Sequence, residues 1–513
     1  MSELMGYAWL ADQYELTLAQ PLTVVSGLGN PQKSGGAGDV TYQYYTAKYL
    51  PEPTLRAHLT FALKREPLHL ELMARLFSKL DPAELLAWIT SEPTGQYARK
   101  ACFFYEWLTD RSLDHPGLTQ SNYVNALDPD EYLVASQPIP NARWRIRDNL
   151  PGVPDFCPTV RLTPKLKQAL AYDPALEIDR LGAEFGEDTL MRSSVWLSLK
   201  ESRSSFAIEH ELKKVDRIQR FAAVMERRCG KGSVHLNATD IEILQREILG
   251  DSALSYGLRQ SPVFVGETTG YGDYVHYLAP QWHQVPHMLS GLKQFELKTQ
   301  GQSALVRAAA ISFGFVYIHP MSDGNGRVSR FLINDVLRHD KAIPAPYILP
   351  VSSVLQKHSL RPRNYDQVLE SFSRPLMDSL SGQYRFGSKQ TAPDGTEYNL
   401  HFDGYEETAP AWRYIDMTVH AEYMADVVQI TINEEMRAEA DILRSHYRAR
   451  QAIKEVLEGP DRDIDAIIRS VRQNEGKLSG KLAKQYPQLA EPEVFQDVVL
   501  VIETHLPWSS SSG

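Results

Sequence analysis

An uncharged run from Ala308 to Ile318 carries only Ala, Ile, Ser, Phe, Gly, Val and Tyr, and it has to be covered on every side. Its length suits one buried helix and falls short of the roughly 20 apolar residues that span a bilayer. The chain then turns polar through His319-Pro320-Met321-Ser322-Asp323-Gly324-Asn325-Gly326-Arg327, and Val328-Ser329-Arg330-Phe331-Leu332-Ile333 restarts an amphipathic helix. A helix, a glycine-rich polar loop and a second helix bring backbone N–H groups to a helix N-terminus, which is a ready anion site.

If the anion is a nucleotide phosphate, each loop residue has a chemical use. Pro320 ends the first helix and sets the direction in which His319 leaves it. His319 is the one side chain of the loop that takes up a proton near neutral pH, which makes it the candidate general base. Asp323 offers hard oxygens to a Mg2+ ion shared with phosphates. Gly324 and Gly326 permit positive φ and a close approach of the backbone to an oxyanion. Asn325 can donate to a phosphate oxygen. Arg327 and Arg330, three apart on the opening turn of the second helix, supply forked donors. The plain alternative is a helix–turn–helix joint with a stray histidine, since Asp-Gly and Asn-Gly are ordinary turn pairs.

The run resembles the signature of the Fic family, H-x-F-x-[DE]-G-N-G-R-x-x-R, at every fixed position but one. Met321 stands where the family has Phe, a hydrophobic anchor whose space Met can fill. Upstream, Ser205-Phe206-Ala207-Ile208-Glu209 is similar to the family's inhibitory-helix motif, [ST]-x-x-x-E-[GN], with Ser205 and Glu209 in the first and fifth places. His210 departs from the Gly or Asn of the sixth place, the residue that sets the local backbone. The resemblance implies that Glu209 pairs with Arg330, and an Arg held by a carboxylate cannot also hold a terminal phosphate. On the plain reading, Glu209 is one exposed helical carboxylate beside Glu201 and Glu211. Ser261 to Gly266 and Asp273 to Tyr277 flank a turn-rich stretch and form a hairpin by pattern. It resembles the Fic flap, which implies that Val263, Phe264 and Val265 capture a target segment by strand addition. Arg259-Gln260 before the hairpin, and Pro350 to Ser353 and Asn364 to Leu369 beyond the signature, extend the likeness over residues 190–375 or so. Tyr365 is then expected near the nucleotide base, with a core tyrosine as the alternative.

Around this region the chain has room for several domains, with 513 residues, 43% of them hydrophobic. The expected division is an N-terminal helical or winged-helix-like domain over 1–150, a Fic core with its inhibitory helix over 165–375, a loop with a small hairpin over 376–410, and a C-terminal helical domain over 411–513. In the first of these, an amphipathic piece around Tyr7 to Leu18 precedes a glycine-rich loop, Gly27 to Gly38. Leucines and aromatics at helical spacing follow from Thr54 to Asp110, and strand-like Tyr132 to Ala135 and Trp144 to Arg147 come next. Helices followed by a short β element suit a DNA-binding or interaction unit, although nothing marks a recognition helix. Pro151, Pro154 and Pro158 read as a linker. Tyr384 to Phe386 and Tyr398 to Leu400 around Pro393-Asp394-Gly395 read as the small hairpin. The end of the chain, from Pro507, is expected to be disordered.

The net charge of −10 argues against a chain whose main task is to coat nucleic acid. Cys102, Cys157 and Cys229 are odd in number and widely spaced, as core thiols of a reducing cytoplasm would be. No signal peptide, membrane span or internal repeat is evident, so a cytoplasmic protein without membrane contact is expected. The fold expected is mainly α, a Fic-type helical core with a β-hairpin flap. The resemblance implies an autoinhibited protein adenylyltransferase that uses ATP and Mg2+ to place AMP on a Tyr, Thr or Ser hydroxyl of a protein docked on the flap. Self-modification and homo-oligomers fit the same reading. Removal of AMP, or transfer of another phosphate-containing group, stays open at the same site. So does a different class, a transcription regulator or antitoxin-like DNA binder with a Fic sensor.

Overall fold

The computed structural model describes residues 3–37, 40–250, 255–269, 272–356 and 363–506. The amphipathic piece expected around Tyr7 to Leu18 begins as a helix, and the expected glycine loop takes part in a sheet. Strands Leu4–Met5 (β1), Val24–Leu28 (β2), Gly35–Ala37 (β3) and Val40–Tyr45 (β4) pair in the order β1-β2-β4-β3, and helix Gly6–Gln13 (α1) packs on β1 and β2. Strand pairing uses the backbone alone, so Gly35 and Gly36 can serve as an edge strand despite their loop-like composition.

Helices Leu55–Arg65 (α2), Leu70–Lys79 (α3), Pro82–Ser91 (α4) and Gln96–Thr109 (α5) follow. Their starts are written locally: Thr54 accepts the Ala57 N–H, and Asp81 accepts that of Ala83 with Pro82 in the first turn. Leu59, Leu72, Phe77, Ile89 and Phe104 join Trp144 in one apolar core. The expected β element is present but shifted. Val124–Asn125 (β5), Ile139–Asn141 (β6) and Ile146–Asp148 (β7) pair in the order β5-β7-β6. Tyr132 makes only an isolated bridge to Arg161, and Trp144 sits in a turn. These apolar residues are buried, so their pattern reports the core rather than a ladder.

The segment that reads as a linker is buried. Phe156 fills a slot left by two glycines: a Cβ on Gly291 would come 2.7 Å from the Phe156 Cβ, and one on Gly314 would come 3.1 Å from its ring. The N–H groups of Cys157 and Thr159 donate to the carbonyls of Arg413 (2.8 Å) and Ile415 (3.0 Å), and Met417 N–H donates to that of Thr159 (2.8 Å). Three prolines here stiffen a strap rather than a spacer. Phe156→Ala is expected to lower the unfolding free energy by about 3–5 kcal/mol, as for other buried Phe truncations. Urea denaturation checks it, and a loss under about 1 kcal/mol would mean that the slot collapses at little cost.

The remaining elements include the helix that carries the uncharged run and those that pack on it. Pro164–Ala169 (α6), Pro174–Phe185 (α7), Glu187–Ile208 (α8), Val215–Arg228 (α9) and Ala238–Leu249 (α10) lead to the hairpin Phe264–Thr269 (β8) and Gly272–Leu278 (β9). Val285–Lys298 (α11), Ala304–Ile318 (α12), Asn325–His339 (α13), Val351–Gln356 (α14) and Tyr365–Ser379 (α15) come next, then the hairpin Tyr384–Thr391 (β10) and Glu397–Phe402 (β11), which forms where it was expected. Tyr405–Arg413 (α16), Thr418–Ile430 (α17), Arg437–Val456 (α18), Asp461–Gln473 (α19), Gly480–Gln485 (α20) and Pro492–His505 (α21) complete the chain.

The uncharged run lies in α12, which packs against α11, α13 and α17 and is buried over nearly its whole surface. Near its start, buried Arg307 donates to Asp340 Oδ2 (2.5 Å), the Glu296 carbonyl (2.6 Å) and Thr299 Oγ1 (2.6 Å), which ties α12 to α11 and to the end of α13. The central core continues through Trp412, Met424 and Ile432 to Ala440, and a separate apolar cluster joins Ala449 and Ile453 to Ile467 and Ile502. Among the described residues no helix is long and apolar enough to cross a membrane. The end expected to be disordered, from Pro507, lies outside the described residues.

Candidate active site

Helix α12 ends at His319, whose backbone turns left-handed (φ 49°, ψ 59°) and so breaks the helix in one residue. His319 Nδ1 lies 3.2 Å from the Val316 carbonyl, which makes Nδ1 the protonated nitrogen and leaves the Nε2 lone pair available. Its own carbonyl accepts from Arg259 Nε at 2.7 Å, while the same guanidinium donates to the carbonyls of Ser261 (2.8 Å) and Pro280 (2.6 Å). Arg259 thus staples the end of α12 to the base of the β8–β9 hairpin. Burial, and then the Arg259 charge, push the His319 imidazole down from 6.5 to about 4, so at neutral pH it is an uncharged base.

The loop is shaped from within and from α10. Met321 is fully buried, in keeping with its expected anchoring place. Asn325 differs from expectation: its Oδ1 accepts from Met321 N–H (3.0 Å) and its Nδ2 donates to the Met321 carbonyl (2.7 Å). The Asn325 side chain therefore closes the loop with its amide oxygen and one of its two amide N–H donors. Gln245 donates to the Asp323 carbonyl at 2.8 Å. Gly324, the N-cap of α13, has φ 92°, the left-handed geometry for which glycine is suited. Gly326 does not share it. That residue is helical, and its missing side chain provides space instead: a Cβ would stand 2.2 Å from Glu209 Oε1 and 3.0 Å from Arg330 Nη1.

Both signature arginines are buried and engaged. Arg330 donates from Nε to Ser205 Oγ (2.7 Å) and from Nη2 to Glu209 Oε1 (2.6 Å) and the Ser205 carbonyl (3.2 Å). Arg327 donates to Asp323 Oδ1 (2.7 Å) and to Glu211 Oε2 (2.6 Å). Burial alone would raise the Glu209 carboxyl, but Arg330, with Arg327 and His319 behind it, holds it below its usual range. Glu209 caps α8, and His210 after it takes φ 57°. That left-handed backbone is the one for which Gly or Asn is best suited. None of the three acidic residues of this stretch is a simple solvated carboxylate. Glu201 is fully buried and accepts from Ser352 N–H (2.7 Å) and Ser352 Oγ (2.6 Å), which fixes α8 to the start of α14; burial raises its carboxyl to about 7.

Asp323 is partly exposed, and among the described residues no three His, Cys, Asp or Glu side chains form a metal cluster. A lone hard carboxylate beside a helix N-terminus fits a Mg2+ ion whose other ligands are phosphates and water. Tyr365 opens α15 with its ring centroid 6.0 Å from that of Phe313; burial raises its hydroxyl, with Arg330 and Glu209 in electrostatic range. In the hairpin, Val263 accepts from Ala279 N–H (3.1 Å), Phe264 pairs with Leu278 and touches the Phe386 ring, and Val265 is 44% exposed. Among the described residues β8 pairs only with β9, so its outer edge is open to a further strand. Gln245, the stapling contacts of Arg259 and the hold of Glu211 on Arg327 were not foreseen, and no local spacing signals them.

Residues 235–337 match the family model described as Fic/DOC family. A curated relative, "Protein adenylyltransferase fic-1" of Caenorhabditis briggsae, is 30% identical over 122 residues, which cover 23% of this chain and 22% of that protein. The match thus spans about a fifth of the relative's length. Among solved structures, the chain is similar to a Fic family protein from Desulfovibrio desulfuricans G20 (18% identity, TM-score 0.38, 58% of this chain and 82% of that one). It is also similar to a Fic domain containing signaling protein from Bacteroides thetaiotaomicron VPI-5482 (18% identity, TM-score 0.30, 54% of this chain and 94% of that one).

Proposed function

From the premise that residues 235–337 are a Fic/DOC family domain, we propose that the protein is a nucleotidyltransferase that moves AMP from ATP to a Tyr, Thr or Ser hydroxyl of a protein. The observation that carries this reading is an uncharged His319 with its Nδ1 committed, at the start of the loop whose Gly324 caps the N-terminus of α13. Nε2 of His319 takes the proton from the target hydroxyl as its oxygen attacks the α-phosphorus. The bond to the bridging oxygen breaks and pyrophosphate leaves. Backbone N–H groups at Gly324, Asn325 and Gly326, with the Arg327 guanidinium, stabilise the charge that develops on the phosphate oxygens. Asp323 would hold Mg2+, and the ion would supply charge neutralisation at the phosphates. Arg330 orients the γ-phosphate and thereby selects the phosphorus that faces the nucleophile. The target segment adds to the open edge of β8. On this reading Glu209, which accepts from Arg330 at 2.6 Å, restrains the reaction by keeping that guanidinium from the γ-phosphate.

ATP labelled at the α- or the γ-phosphate, offered with a cell lysate, tests this reading beside labelled UTP. Protein bands labelled from the α position of ATP alone are expected. Label from the γ position, or from UTP only, would replace AMP transfer by transfer of another group. Asp323→Ala is expected to abolish transfer and the Mg2+-dependent part of ATP binding. An unchanged Mg2+ titration in that variant would remove Asp323 as the ligand.

A further inference from the structure

We infer that Glu211 is a second acidic residue of the nucleotide site, one that sets nucleotide affinity by occupying Arg327. The inference rests on the reading of residues 324–330 as a phosphate site. One chain reversal delivers both carboxylates. Glu209 caps α8, His210 turns left-handed, and Glu211 N–H returns to the Phe206 carbonyl at 2.8 Å, the long-range bond of a helix-closing motif. Glu209 and Glu211 flank that one left-handed residue, and they meet two arginines one turn apart on α13: Glu209 reaches Arg330 and Glu211 reaches Arg327, each at 2.6 Å.

Arg327 is more enclosed than a waiting phosphate ligand would be. Its guanidinium lies 5.2 Å above the Phe206 ring, carries Glu211 on one amino group and Asp323 on the other, and is 3% exposed. Its Nε is buried without a hydrogen-bond partner. A triphosphate that engages Arg327 must share this cation with Glu211 or displace it, and its own negative charge then stands close to a carboxylate. Displacement does not strand the Glu211 charge. The same carboxylate already contacts Lys214 and Arg217 Nη1, the latter at 3.4 Å, and its side chain is partly exposed. Glu211 is therefore shared between the phosphate site and the start of α9, and nucleotide shifts that balance.

The two carboxylates act on different quantities. Arg330 serves alignment of the γ-phosphate, so Glu209 acts on turnover. Arg327 serves the α- and β-phosphates, so Glu211 acts on binding. The test is calorimetric: ATP with Mg2+ is titrated into His319→Ala, in which transfer is slowed, and into His319→Ala with the near-isosteric Glu211→Gln. Binding about tenfold tighter is expected in the second protein. ADP should gain likewise, and adenosine, which has no phosphate, should not. Equal or weaker ATP binding with Glu211→Gln would overturn the inference, weaker binding because Glu211 would then be aiming Arg327 rather than occupying it. A gain shared by adenosine would also overturn it, as a general loosening of the site. Absence of ATP binding in both proteins would remove the phosphate-site reading together with the inference.

Discussion

His319→Ala lowers AMP transfer by about 10²–10⁴, the usual contribution of a general base, and leaves ATP affinity near that of the parent. The imidazole is pinned by Val316 and by the Arg259 hold on its carbonyl, so the alanine variant loses a proton acceptor without losing a phosphate contact. Its pH dependence carries the sharper test. The folded imidazole is depressed to about 4 from 6.5. The base is thus already deprotonated throughout the range between those values, and kcat/KM should hold level from pH 7 down to about 5 before falling. A rising limb centred near 6.5 would show that His319 is hydrated in the working enzyme, or is not the base. The same shift has a stability sign. The unfolded chain binds the proton first, so stability present above pH 6.5 is lost as the pH falls toward 4, and His58, lowered to about 4, adds to the trend. Label transfer by His319→Ala at the parent rate would end the assignment outright.

Glu209→Gly raises transfer by about 10²-fold, the order of effect that a misplacement of about 1 Å can impose on a reacting group. The restraint depends on a space as much as on a charge. Gly326 lacks the side chain that would meet Glu209 Oε1, so the carboxylate reaches Arg330 through the opening that an incoming phosphate also needs. Removing it frees the Arg330 fork and the space together. ATP can bind through the remaining contacts in either protein, so the gain should appear mainly in kcat. Ser205 keeps its bond to Arg330 Nε, which holds the guanidinium in place when Glu209 is gone. Self-labelling of wild type and Glu209→Gly from one ATP stock decides the matter, and equal rates would clear Glu209 of the role.

The parts of this site that could be read from the sequence are those that lie within one stretch of chain. His319 to Arg330 is a helix end, a turn and a helix start, and its chemistry follows from residue type and local spacing. Ser205 and Glu209 stand out only through their resemblance to a family motif, since a Ser and a Glu four apart on a helix are common by themselves. The Asn325 side chain was misjudged because its partners are backbone atoms of Met321 inside the loop, which no spacing rule distinguishes from a phosphate. Glu211 was passed over because its meaning comes from Arg327, far along the chain. The N-terminal sheet is hard to read from the sequence because Gly35 and Gly36 of β3 pair with β4 through their backbones alone, which composition does not report. The Pro151–Pro158 stretch was misread because the slot for Phe156 is made by Gly291 and Gly314 on other helices.

The order of these parts along the chain has a consequence for a protein still being made. α8 and the turn that bears Glu209 and Glu211 leave the ribosome before the residues of α12 and α13 have been joined to the chain. Both carboxylates are therefore part of the chain before either arginine exists, although α8 finds its partner α14 only after α13 has been made. α12, in turn, is covered only when α17, from Thr418 onward, reaches it. A newborn chain therefore passes through no stage at which the loop is assembled and its restraint has yet to arrive.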